Sequence, residues 1–184
     1  MTLPRILIIA GSDSGGGAGI QADLKTVTLL GGYGMTAITA ITAQNTLGVQ
    51  GVHPIPTDMV LAQMESCISD IGVDAVKIGM IGSAHTAAAV ADRLARLREV
   101  PIVFDPVMVA TSGSLLADDA TVAAFEKLMQ VATVITPNVP ELQALTGLNV
   151  SNLEALEAAG QALRDRTGAI ILAKGGHLPQ QAED

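Results

Sequence analysis

The sequence predicts an α/β fold with a mostly parallel central sheet and helices on both of its faces. Apolar runs of strand length alternate with segments of helical period along all 184 residues. Most of these runs are continuous rather than alternating, as from Ile6 to Ala10, which is the pattern of strands buried on both faces. Polar residues cluster where the runs end, and α/β sheets gather their ligands beyond such ends.

Strands are expected over residues 5–11, 36–46, 49–56, 75–82, 102–108, 133–137 and 169–174. A helix starting near Ala18 would turn Ile20, Leu24, Val27 and Leu30 inward, and at ~100° per residue it would place Asp23 inside that arc. Val60, Met64, Cys67, Ile68 and Ile71 form a second helical stripe, and Val122, Phe125 and Met129 a third. Leu153, Leu156, Gly160 and Leu163 form a fourth, with Ser151 and Glu154 placed as a capping box. Repeated β-α-β order at this length implies one domain.

Composition narrows the function. The chain is 49% hydrophobic and 15% charged, so it can build a core of Ala, Val, Ile, Leu and Met and is no disordered segment. A net charge of −8, no Trp, one Tyr and two Phe supply neither a basic stripe nor stacking platforms, which excludes nucleic acid as the main partner. Cys67 alone cannot form a disulfide framework or a thiolate metal cage, which fits a reducing compartment. It falls on an apolar helical stripe and reads as inert core. No apolar run approaches the ~20 residues of a membrane span, and the N-terminus lacks the pattern of a signal peptide. The expectation is a soluble cytoplasmic protein with no membrane partner.

Six runs end in polar or glycine-rich residues: Gly11 to Gly19, Gln44-Asn45-Thr46, Gly79-Met80, Asp105-Pro106, Pro137-Asn138 and Lys174-Gly175-Gly176. One such end is ordinary loop chemistry, whereas six at one rim suggest a small-molecule site. The glycine-rich loop is not a Walker loop, because Gly17 stands where Lys is needed. It fits a dinucleotide fingerprint only loosely, with no acidic residue between Asp23 and Asp58. Glycines that let backbone amides approach a small ligand at a helix start suit it better. An inward Asp23 is either a structural carboxylate, bonded to nearby backbone or to Lys25, or a ligand-binding one. Lys77, inside an apolar run, reads as structural, snorkelling from a sheet margin. Asn138 and Glu141 have capping-box spacing, and Glu141 could also hold magnesium through water beside a phosphate. Lys174 could supply a point charge for that phosphate. His53, His85 and His177 lack ligand spacing, which disfavours zinc, and the absence of G-x-S-x-G disfavours an α/β-hydrolase.

Residues 10–25, AGSDSGGGAGIQADLK, closely resemble the opening of the hydroxymethylpyrimidine/phosphomethylpyrimidine kinases of thiamine biosynthesis. So do TAQNTLGVQ at 42–50, KIGM at 77–80, DPVM at 105–108, Thr136-Pro-Asn-x-x-Glu141 and KGGH at 174–177, in family order along the whole chain. The first block is specific to that family, and the Asn-x-x-Glu and Lys-Gly-Gly blocks are shared across ribokinase-like kinases. The resemblance implies a three-layer αβα ribokinase-like fold that uses ATP and Mg2+ to phosphorylate an aminopyrimidine hydroxymethyl group and then its monophosphate. It implies that Gln44 bonds the pyrimidine edge, that Asp23 and the backbone at Gly11 fix its polar groups, and that Met80 and Val107 pack on the ring. Asp105, Asn138, Lys174 and Gly176 would serve the nucleotide and Glu141 the metal.

Two departures from the family pattern stand out. After DPVM the family usually continues Ala-Lys-Ser-Gly-Asp, whereas 110–116 here read ATSGSLL, without that Lys and Asp, which leaves phosphate contacts from this loop open. Family members also run on to a Gly-Thr-Gly-Cys segment that forms the anion hole and carries the reactive Cys. That motif does not occur before Asp184. Residues 1–184 are therefore expected to be the N-terminal portion of a single kinase domain, inactive alone, with no catalytic residue of its own. The alternatives are a pyridoxal kinase and a non-catalytic pyrimidine-binding module. A homodimer is expected from the habits of ribokinase-like relatives.

Overall fold

The computed structural model describes residues 3–97, 99–109 and 116–176; the altered loop at 110–115 and His177 lie outside the described residues. In chain order the elements are β1 (Arg5–Ala10), α1 (Gly19–Leu29), β2 (Tyr33–Ile38), β3 (Ala40–Asn45), β4 (Gly48–Pro54), α2 (Thr57–Asp70), β5 (Ala75–Ile78), α3 (Ala84–Leu94), β6 (Ile102–Phe104), α4 (Asp119–Val131), β7 (Val134–Ile135), α5 (Val139–Thr146), α6 (Leu153–Thr167) and β8 (Ile170–Ile171). Six strands form one parallel sheet in the order β2-β1-β5-β6-β7-β8.

The continuous apolar run of β1 serves two cores. Leu7 and Ile9 join the larger one with Val60, Met64, Val90, Leu94 and Phe125 from α2, α3 and α4. Ile8 and Ala10 face the other way, onto Ile20, Leu24 and Val27 of α1. The larger core is keyed by Phe104 and Phe125, whose rings meet edge to face at a centroid distance of 5.2 Å. Cys67 packs partly buried against it, and burial pushes its thiol up, consistent with an inert side chain.

Chain order places a switch point at β1 and β5. From β1 the chain crosses through α1 to β2, on one side of β1 in the sheet. On its other side the order runs from β5 to β6 through α3. The two crossover helices take opposite faces, so the loops after β1 and β5 part and leave a crevice at the carboxyl rim.

Several expectations fail for identifiable reasons. The run 36–46 is two strands, not one. The Gln63 side chain accepts from the Ile38 N–H at 3.0 Å and donates to the Ile38 carbonyl at 3.2 Å, which ends β2. Thr39, 2% exposed, then turns the chain out of the sheet with its hydroxyl donating to the Met80 carbonyl at 2.6 Å. β3 pairs antiparallel with β4 in a separate two-stranded flap, so neither β3 nor the 49–56 run belongs to the parallel sheet. Leu30 is 83% exposed because α1 ends at Leu29, and Leu153 is exposed as the first residue of α6. That helix is capped by Asn152, whose side chain accepts from the Ala155 N–H at 2.8 Å, and not by Ser151.

Candidate active site

The loop after β1 is wound around a carboxylate of its own. Asp13, 5% exposed, accepts from the backbone N–H of Gly15 at 2.8 Å, Gly17 at 2.9 Å and Ala18 at 2.8 Å. Its own N–H donates to Gln21 Oε1 at 2.7 Å. These amides are therefore spent on an internal anion, and the expected approach of that set of amides to a ligand is not what the loop does. Asp13 does the work of a cap for α1, whose N-cap residue Ala18 has no side-chain acceptor. Gly19 must be glycine: at φ +56° it sits so close to the backbone of residues 11–13 that a Cβ would overlap it. Sequence reasoning missed Asp13; an Asp two, four and five residues before small residues was the available signal.

Gln44 reaches the rim on the flap rather than on a strand of the main sheet. The Ser14 hydroxyl ties the flap to the glycine loop, donating to the Gln44 carbonyl at 2.6 Å and accepting from its N–H at 2.8 Å. A bulge between Ala43 and Gln44 interrupts the β3–β4 register and re-aims the side chain. Among the described residues the Gln44 side-chain amide has no hydrogen-bond partner.

Asp23 does turn inward, yet its partner is Lys77 rather than Lys25. Lys77 Nζ lies 2.7 Å from Asp23 Oδ2, while Lys25 donates to the Gly16 carbonyl at 2.6 Å. Nor is Lys77 at a sheet margin, because β5 is flanked by β1 and β6. The chain supplies room for the pair at Gly79, where a Cβ would stand 2.9 Å from Lys77 Nζ.

At the other end of the crevice, an isolated parallel bridge sets Asn138 beside Lys174. Lys174 Nζ donates to Asp105 Oδ1 at 2.8 Å and stands 4.0 Å from Glu141 Oε2. Thr136 donates to the same Asp105 oxygen at 3.1 Å. The capping box at α5 is present: Asn138 Oδ1 accepts from the Glu141 N–H at 2.9 Å, and Glu141 Oε2 accepts from the Asn138 N–H at 2.8 Å. Glu141 is 4% exposed. Burial pushes its carboxyl up from the ordinary glutamate range, the Asn138 N–H and the Lys174 ammonium pull it back, and Asp105 adds to the upward push. Capping and site roles thus coincide in one side chain.

A single cleft of about 670 Å³ is lined by Gly11, Asp23, Gln44, Met80, Val107, Asp105, Asn138, Glu141 and Lys174. Nine of the ten expected site residues are brought together; Gly176 is exposed and does not line it. Met80 packs against the loop, and a Cβ on Gly11 would overlap its methyl. One part of the cleft offers an apolar wall with an amide and a carboxylate–ammonium pair, and another offers two carboxylates, an ammonium and a helix start. Such a site can hold a flat polar heterocycle beside a phosphate.

The model of the family described as "Phosphomethylpyrimidine kinase" matches residues 13–184. The chain belongs to this family. It is 53% identical over 181 residues to the hydroxymethylpyrimidine/phosphomethylpyrimidine kinase of Rhizobium meliloti, covering 97% of this chain and 68% of that protein. It is 51% identical over 174 residues to the thiamine biosynthesis bifunctional protein ThiED of Geobacter sulfurreducens, covering 94% of this chain and 36% of that protein. The chain thus spans about a third of the bifunctional relative and about two thirds of the Rhizobium meliloti kinase. Among solved structures, the phosphomethylpyrimidine kinase of Clostridium difficile 630 matches with a TM-score of 0.87 at 40% identity, over 96% of this chain and 77% of that one. The pyridoxal kinase of Staphylococcus aureus in complex with pyridoxal matches with a TM-score of 0.86 at 36% identity, over 96% of this chain and 64% of that one. The ribokinase-like architecture expected from the family motifs is the one observed.

Proposed function

We propose that the chain forms the pyrimidine pocket and part of the nucleotide site of an ATP-dependent kinase. Its substrates are 4-amino-5-hydroxymethyl-2-methylpyrimidine and the corresponding monophosphate, in thiamine biosynthesis. The observation that carries this is one cleft joining an apolar wall, Met80 and Val107 with Gln44 and Asp23, to the cluster of Asp105, Glu141 and Lys174. Family membership gives the chemistry its direction.

In this reading Gln44 supplies a donor and an acceptor to the pyrimidine edge, and Asp23 and the backbone at Gly11 orient its polar groups. Lys174 neutralises phosphate charge, with Asp105 and Asn138 beside it. Among the described residues no group of three or more His, Cys, Asp and Glu could hold a metal ion. Two carboxylates, Asp105 and Glu141, instead suit a magnesium ion completed by water and nucleotide phosphates. Bound there, the ion would offset charge on the transferred phosphoryl group. The chain's own contribution is positioning and a fixed electrostatic environment. We read residues 1–184 as belonging to a single kinase domain of a cytoplasmic homodimer. No described helix is long and apolar enough to cross a membrane.

Pyridoxal is the second reading, favoured by the likeness to the Staphylococcus aureus pyridoxal kinase. Calorimetric titration with each ring separates the two, and phosphoryl transfer from MgATP separates a kinase from a binding module. The expected result is tighter binding of the pyrimidine, weakened about tenfold or more by Gln44→Ala. Unchanged affinity in that variant refutes the pocket.

A further inference from the structure

A lysine in the interior of a parallel sheet is costly unless it is paired. Lys77 stands on β5, between Val76 and Ile78, which are 1% and 0% exposed in the larger core. Its own side chain leaves the opposite face and reaches Asp23 Oδ2 at 2.7 Å. Gly79, two residues along the same strand direction, keeps that path open: a Cβ there would lie 2.9 Å from Lys77 Nζ and 3.1 Å from the Ala10 Cβ. Both partners line the cleft, with side chains 27% and 22% exposed. Among the described residues no donor reaches the second carboxylate oxygen of Asp23, Oδ1.

Stability alone does not account for this arrangement, because replacing a largely buried ion pair by apolar side chains is often neutral or stabilising. A carboxylate held by one oxygen, on a residue that lines a ligand cleft, is instead a pre-oriented acceptor. We propose that Lys77 is a positioning residue that clamps Asp23 Oδ2 and so presents Oδ1 to a hydrogen-bond donor on the ring substrate. This rests on the reading of the cleft as a pyrimidine pocket. The cation acts through Asp23 and makes no bond to the ring of its own.

A double-mutant cycle tests it, with the affinity for 4-amino-5-hydroxymethyl-2-methylpyrimidine and for pyridoxal measured by calorimetry and folding checked by thermal denaturation. Lys77→Met keeps an unbranched apolar stem and removes the charge. It should weaken pyrimidine binding by about tenfold or more, the scale of a hydrogen bond to a charged group. Lys77→Arg should recover part of that loss. In an Asp23→Ala background, Lys77→Met should add nothing, which a merely structural lysine would not produce. Should Lys77→Met not fold, Gly79→Ala displaces the ammonium with both charges kept and should weaken binding likewise. Unchanged affinity in Lys77→Met, or in Gly79→Ala where that variant takes its place, overturns the clamp, and so does an equal loss with and without Asp23. A wild-type chain that binds pyridoxal but not the pyrimidine overturns the pocket reading instead, and the same cycle on pyridoxal then decides the clamp. A chain that binds neither ring refutes both.

Discussion

Removing the Asp13 carboxylate should unwind the glycine loop, and the size of the effect follows from its partners. Asp13→Ala deletes three charge-assisted bonds, to the N–H groups of Gly15, Gly17 and Ala18. If all three donors stayed dry, each would cost about 1–3 kcal/mol. Gly15, Gly17 and Ala18 are exposed, however, so water can reach the freed donors and the net bond value is the better guide. The expected loss is about 4–5 kcal/mol, three bonds near the low end of the ~1.5–3 kcal/mol of a hydrogen bond to a charged group, and a large share of the ~5–15 kcal/mol that holds a typical domain. Asp13→Asn should cost less, since one oxygen still accepts while its NH2 faces amides that also donate. The assay is urea unfolding at neutral pH, with and without inorganic phosphate. A loop of emptied amides at a helix start is an anion nest, so phosphate should stabilise Asp13→Ala more than the wild type. The reasoning fails if both variants unfold within ~0.5 kcal/mol of the wild type, the range of ordinary surface changes. It fails equally if phosphate stabilises all three proteins alike.

Glu141→Gln should reduce the dependence of nucleotide binding on magnesium more than it reduces pyrimidine affinity; the reverse order would mark Glu141 as a helix cap only. Because the folded Glu141 carboxyl is raised above 4.5, its contribution to stability is complete below that pH and is lost as pH rises through the folded value. Thermal denaturation against pH should therefore show the wild type losing ground to Glu141→Gln above about pH 4.5. At the far end of the sheet the Arg5 guanidinium, donating to Asp74 at 2.7 and 2.9 Å, holds that carboxyl down at about 2. Its stabilisation should be present above pH 3.8 and vanish as pH falls through about 2, read as convergence of the melting curves of wild type and Asp74→Asn. Phe125→Ala empties the core partner of Phe104 and should cost about 3–5 kcal/mol in urea unfolding; a loss below ~1 kcal/mol would mean that the two-ring contact contributes little.

Much of the site was legible because its parts are local. Capping by Asn138 and Glu141 depends on residues three apart, and the structure shows both hydrogen bonds. The inward direction of Asp23 followed from helical angle alone. The buried character of β1 followed from an unbroken apolar run. Asp13 escaped notice because an acidic residue in a glycine-rich loop looks solvated until the loop closes around it. The 36–46 run reads as one strand because nothing in its composition marks Thr39, and the break is made by Gln63, 25 residues away.

The α/β class, the family and the residue types that gather at strand ends are readable along the chain, because periodicity, capping and motif order are properties of neighbours in sequence. Pairings between distant segments come from the three-dimensional fold alone: Asp23 with Lys77, Lys174 with Asp105, and Gln44 carried to the rim on a flap. Those depend on strand order and on which face each crossover takes. The apolar burial that drives folding is non-directional, so it marks which side chains go inside without naming their partners.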